Sequence, residues 1–379
     1  MLERREFIQT ASAFAVGAVL PSALSGCGIR PEIAATSLAT SDAIDEALML
    51  ISKLAPLGNH APMAVESLVT LGRPELLIPF VEKYSRRFGA RHPSSVAKID
   101  PSNWKEALGS NERNLDWTTF FQRELKETGW KVTVGKWSEV LAPGLSAAAG
   151  HGVIRTCHAV RSLSRRETAP RLDELAEGLG YWAAFYQPLP EPGGRRNADH
   201  LSIADAVERI PILPEERRRR GSIMEQLRSL NDFSDFADVI DQIEITGGSD
   251  ALLSKLTETF ARIYVQRATD RNDLNLLHAV TVTSGIRSLT PFLSPGTTTR
   301  VLRYGWQTAA AMVAISGSEL PPRKAATMDA KDDLVERAVS SNEEHSIKFT
   351  EACLREHQLN TNAIYLQAAN EAVRRLPRH

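Results

Sequence analysis

A helical period runs through almost the whole of this chain, and it limits the available folds more than any other feature. Ile44, Leu48, Ile51 and Ala55 fall at i, i+4, i+7 and i+11, and similar apolar stripes run through 115–125, 172–185, 252–265, 274–293 and 301–315. Apolar residues at that spacing line one face of a helix. Strand-like alternation is scarce, with Trp130 to Val134 the one tempting stretch. The expectation is an all-α protein, a large multi-helix domain. Gly and Pro punctuate the stripes at Gly58, Pro74, Gly89 to Pro93, Pro143-Gly144, Pro291, Pro295-Gly296 and Pro321-Pro322, where helices should end. Between Gln187 and Gly221 lie Pro188, Pro190, Pro192, Pro211, Pro214 and the pair Gly193-Gly194, which predicts a long irregular connection in the middle of the domain. Such a connection is either a substrate-facing segment or a joint, residues 188–221, between lobes 42–187 and 222–379.

Two sorting signals precede the first stripe. Glu3-Arg4-Arg5-Glu6-Phe7-Ile8 looks like a twin-arginine export signal, and an Ala/Gly-rich stretch follows it to Leu24. Leu24-Ser25-Gly26-Cys27 fits a lipobox, in which the Cys27 thiol is acylated and the chain is cut just before it. The run is short for a membrane span and rich in small residues. These motifs predict a signal peptide over 1–26, a lipid anchor at Cys27, a flexible tether over 27–41 and a helical domain over 42–379. The protein would be exported by the twin-arginine route and held at an extracytoplasmic membrane face. That route generally carries folded proteins, often with a cofactor already loaded, so it favours a bound metal or other cofactor. Folding in a reducing compartment also argues against dependence on a Cys157–Cys353 bridge.

Composition excludes little else. A formal net charge of -1 gives no global reason to expect a nucleic-acid partner. The run Arg217 to Arg220 follows Glu215-Glu216 and reads as a solvated loop or helix end. The sequence contains no G-x-G-x-x-G after a strand, no Walker loop, no nucleophile elbow and no H-E-x-x-H. Nor does it contain the Glu-x-x-His of di-iron helices or the His-x-Asp/Glu of a facial triad, so a metal site would have to be assembled from separate helices.

The histidines offer that assembly. His60, His151, His278 and His345 lie in apolar, helix-like stretches, where an unpaired imidazole is costly to bury. Such a residue is either a hydrogen-bonded core histidine or a metal ligand. His60 heads a helix whose inner face continues through Met63, Ala64 and Leu68. His151 and His158, seven residues apart, share a helical face, and Gly150 and Gly152 permit close approach of a neighbouring helix or ligand. Lys348 lies one turn from His345. Buried there, its amine would be held neutral and could take up carbon dioxide as a carbamate, an anionic oxygen ligand. The alternative is a lysine that reaches out to solvent.

Several of these segments, in order, resemble the questin oxidase-like family. They are Asn59-His60-Ala61-Pro62 with Leu68 to Pro74, Trp104 to Gly109, Gly150 to Arg155, Gly178 to Ala183, His278 to Thr281 and His345 to Lys348, spanning about residues 45–370. The resemblance implies a helical oxidoreductase that cleaves rings of anthraquinone-type aromatic molecules with oxygen. It does so either as an NADPH-dependent Baeyer–Villiger enzyme or through non-haem Fe(II). With no dinucleotide fingerprint, the iron reading is favoured. Carried over, the ligands are His60, His151, His278, His345 and Lys348. Where the family pattern has a second histidine four residues after the first, this chain has Arg155, and His158 is the substitute. Arg155 is then the candidate to steady a phenolate or quinone oxygen, with Trp and Phe side chains walling a pocket for a flat aromatic substrate. The rival reading is a non-catalytic, lipid-anchored helical protein that binds an apolar ligand or partner, its histidines structural.

Overall fold

The computed structural model describes residues 43–376 apart from 56–57, 92–94, 194–199, 246–248 and 318–330. The twin-arginine motif, Cys27, the tether and the break at Pro321-Pro322 lie outside the described residues. The rest is helical: α1 (43–51), α2 (Ala61–Thr70), α3 (Leu77–Ser85), α4 (Asn114–Thr128), α5 (Trp130–Leu141), α6 (His151–Arg165), α7 (Ala169–Ala184), α8 (Ile203–Glu208), α9 (Ile223–Arg228), α10 (Ser249–Arg267), α11 (Asp273–Ile286), α12 (Pro295–Ser316), α13 (Lys331–Ser340), α14 (Glu344–Leu359) and α15 (Ala363–Arg375). Among the described residues there is no strand, only two isolated bridges, Leu54 with Ala90 and Leu201 with Ile243. Trp130 to Val134, which alternates like a strand, is the start of α5, because Trp130, Val134 and Trp137 also recur at helical spacing and all three are buried.

Local chemistry sets the helix starts. Ser294 caps α12 by accepting the Thr297 N–H at 3.1 Å, with Pro295 in the first turn, and Ser222 and Glu225 form a reciprocal capping box on α9. Packing then selects which faces are buried. In α4, Trp117, Phe120, Phe121 and Leu125 make one inner face. In α11 the apolar residues surround the whole helix, and the helix is buried on all sides. Among the described residues, the connection between Gln187 and Gly221 is irregular except for α8 and a single turn at Glu215–Arg217. Its Leu189, Ile203, Val207, Ile210 and Leu213 pack in one core with Phe260, Tyr264 and Trp306, and a second core joins Trp117, Trp137 and Trp182, before the connection, to Val282, Ile286 and Val301 after it. The basic run is tied down: Arg218 Nε donates to the Leu213 carbonyl at 2.8 Å, and the Arg219 N–H donates to Ser229 Oγ at 2.9 Å.

Four helices close a ring that the rest of the fold encases. α2 packs on α6 and α14, and α11 packs on the same two. Arg161 of α6 bridges Glu66 of α2 and Glu351 of α14, the latter at 2.7 Å. Glu356 of α14 accepts from Ser284 and Arg287 at the α11 side, each at 3.0 Å. Outside the ring, α7 lies against α6 so closely that a Cβ on Gly152 would sit 2.6 Å from the Trp182 Cα. That contact is backbone against Cβ and cannot be relieved by a rotamer change. Gly152→Ala is expected to destabilise the protein by about 1–3 kcal/mol, read as a lower urea midpoint at unchanged m-value.

Candidate metal centre

Each helix of the ring contributes one histidine to its centre. His60 stands at the N-cap of α2, His151 is the first residue of α6, His278 lies in the second turn of α11 and His345 is in the first turn of α14. The His60 and His151 rings stack with centroids 4.3 Å apart, His60 and His345 meet edge to face at 4.8 Å, and His151 and His278 at 4.5 Å. Ligand atoms of His60, His151 and His345 all lie within 4.8 Å of one another. Three atoms so spaced fit within about 2.8 Å of a common point, so ligation at about 2.1 Å asks only a small inward turn of the rings.

The hydrogen bonds fix which nitrogen faces inward. His151 Nδ1 is 2.7 Å from the Ala148 carbonyl oxygen and His278 Nδ1 is 2.5 Å from that of Leu274. A carbonyl only accepts, so both Nδ1 atoms carry the proton and both neutral rings present a bare Nε2. Those two Nε2 atoms are 3.0 Å apart. Two lone pairs at that distance repel unless a cation lies between them, and 3.0 Å is the spacing of two adjacent ligands about 2.1 Å from one ion at about a right angle. His345 follows the same rule, donating Nδ1–H to Glu343 Oε1 at 2.8 Å. His60 has a buried Nδ1 with no hydrogen-bond partner, 3.8 Å from Glu344 Oε1. The donor set fits a metal ion.

Backbone geometry supports this aim at some cost. Ala148 and Ala149, with φ of 49° and 62°, precede Gly150 at φ 84°, so three consecutive left-handed residues lead into His151. Each alanine there costs roughly 1–2 kcal/mol. The turn brings the Ala148 carbonyl back onto the His151 ring. At α2 the His60 N–H donates to Tyr84 Oη at 2.8 Å, which ties the helix head while leaving the imidazole free of a capping duty.

Electrostatics favour neutral rings. Burial is the main cause that pushes His60, His151 and His278 well below the usual histidine range, with Lys348 and the neighbouring imidazoles adding to it. Lys348 is 4% exposed, so it does not reach solvent. Burial pulls its amine down to about 8 against the opposing pull of Glu344 and Glu343.

The structure does not bring the other two sequence candidates to this centre. His158 turns to Glu66, with Nδ1 2.8 Å from Oε2, and lies beside Arg161, so its ring is occupied in an ion network rather than aimed at the four histidines. It shares only the lining of a narrow slot with His278 and Lys348. Arg155 donates Nε and Nη2 to the two oxygens of Glu174 at 2.6 and 2.7 Å, binding α6 to α7 instead of offering its fork to a substrate. Of the aromatic side chains, Trp117, Trp137, Trp182 and Trp306 are fully buried in the core. Glu343 and Glu344 were missed. An acidic residue just before His345 is a visible N-cap signal, since Glu343 Oε2 accepts the Ser346 N–H at 2.5 Å, but its second contact to His345 is not.

Because burial depresses three of these histidines, the unfolded chain binds more protons than the metal-free folded one once the pH falls below about 6.5. Their contribution is intact above that pH and is lost as the pH falls. Metal-free protein is expected to lose on the order of 1 kcal/mol per histidine for each pH unit below it, seen as a falling urea midpoint between pH 6.5 and 5.

The model of a protein family described as Questin oxidase-like matches residues 57–353, a span holding all four converging histidines and Lys348. No curated protein matches the chain.

Proposed function

Because the chain belongs to the questin oxidase-like family, we propose that it is an oxidoreductase that holds a non-haem Fe(II) ion among its ring histidines and oxygenates an aromatic, quinone-type substrate. The observation that carries this reading is the pair of bare Nε2 atoms of His151 and His278, 3.0 Å apart inside the ring. His60, His151, His278 and His345 would hold the ion. Lys348, buried one turn along α14 from His345, would add an oxygen ligand as its carbamate. Iron, when bound, supplies the one-electron chemistry that lets dioxygen react with an aromatic ring.

The protein's own part is placement. The Ala148 and Leu274 carbonyls and the Glu343 carboxylate hold the protons of His151, His278 and His345 on Nδ1, so the Nε2 of each stays available to a metal without a change of tautomer. Encasement of the ring keeps bulk water from this nest of donors. Arg155 supports it from outside by joining α6 to α7.

Protein produced with iron supplied should carry stoichiometric iron by elemental analysis, and His60→Ala and His345→Ala should lose it. Folded, metal-free wild type would overturn the reading. Glu343→Gln should keep the fold and weaken metal affinity by about 10–100-fold. We also propose twin-arginine export and lipidation at Cys27; Cys27→Ser should then move the protein out of the membrane fraction and abolish acyl labelling. Among the described residues no helix is long and apolar enough to cross a membrane.

A further inference from the structure

A second cavity, away from the histidines, opens where the irregular connection leaves and rejoins the helical body. It encloses about 520 Å³, within the usual range of small-molecule sites. One wall is the end of α7 and the start of the connection, with Phe185, Tyr186, Pro188 and Pro190; Met224 of α9 faces it. These are flat or soft apolar surfaces suited to ring faces. The wall is firmly held. Ser146 Oγ donates to the Gln187 carbonyl at 2.6 Å, and Gln307 Nε2 donates to the Pro190 carbonyl at 2.7 Å.

The polar groups are selective. Among the described residues none of the lining side chains is acidic, and the one charge is the Arg228 guanidinium, which makes no ion pair with a described residue. Asn111, Asn231 and Gln187 supply amides, and the Gln187 amide is buried without a hydrogen-bond partner at either its nitrogen or its oxygen. A ligand oxygen would accept from its nitrogen. Two carboxylates just beyond the lining are already engaged: Glu191 accepts from Tyr304 Oη at 2.9 Å and lies 3.9 Å from Arg303, and Glu225, one turn before Arg228 on α9, accepts from the Ser222 N–H at 2.8 Å and its hydroxyl at 3.0 Å. Another roomy cavity, beside α1 and α7, is lined by Asp173, Glu174 and Glu177 against two arginines, a balance that disfavours an anion.

We propose that the cavity between the end of α7 and α9 is a binding site for a planar aromatic carboxylate, its rings between Tyr186 and Met224 and its carboxylate on Arg228. Its lining contains none of the ring histidines, and the proposal does not rest on the oxygenase reading. Its test uses 2-naphthoate and the isosteric neutral 2-naphthamide, titrated into the full chain by calorimetry. The acid should bind once per chain and at least ten times more tightly than the amide. Arg228→Gln should erase that preference, and Tyr186→Leu should weaken both ligands. Iron content and melting temperature should be unchanged in Arg228→Gln, which separates this site from the histidine ring. No binding of the acid, equal binding of acid and amide, or an unaltered preference in Arg228→Gln would overturn it.

Discussion

Two imidazole lone pairs facing each other across 3.0 Å are the constraint around which the structure is arranged. Nothing in the hydrophobic core requires His151 and His278 to meet. They meet because each ring is pinned from behind by a carbonyl acceptor, Ala148 for one and Leu274 for the other. Pinning removes the proton that would otherwise let one ring donate to the other, and burial resists adding a second proton to either. The repulsion is therefore a standing demand for a cation, maintained by the helix ring.

The ring can sustain that demand because its polar ties lie between helices. Arg161 holds α2 and α14 to α6 through Glu66 and Glu351, and Glu356 holds α14 to α11 through Ser284 and Arg287. Glu66, Glu351 and Glu356 are all at most 3% exposed, so removing a single partner would strand a buried charge, a change that typically costs several kcal/mol. His158 and Arg155 belong to this supporting layer. One joins the Glu66 network, and the other clamps α6 to α7.

Helix content was legible because it depends on period, which each segment carries alone: α11 and α12 begin within a few residues of the stripes seen at 274 and 301. The four histidines were legible for a related reason, being polar residues in apolar faces. What the sequence could not show was the partner each polar side chain takes. Arg155 and Glu174 are 19 positions apart and His158 and Glu66 are 92 apart, so a pattern of nearby residues says nothing of either pairing. Lys348 was open between solvent and interior on sequence grounds, and only the packing of α14 against α2 and α11 decides it. Ala148 and Ala149 were invisible, since alanine gives no hint of a left-handed backbone.

That left-handed turn links the metal to folding dynamics. Ala148, one of the strained residues, also carries the carbonyl that orients His151, so relaxing the turn would release the ring. With a cation in place the ligand bond resists that event. With none, lone-pair repulsion and backbone strain push in the same direction. The head of α6 should then be the first part of the ring to open, and amide hydrogen exchange at residues 148–152 becomes a direct gauge of whether the centre is filled.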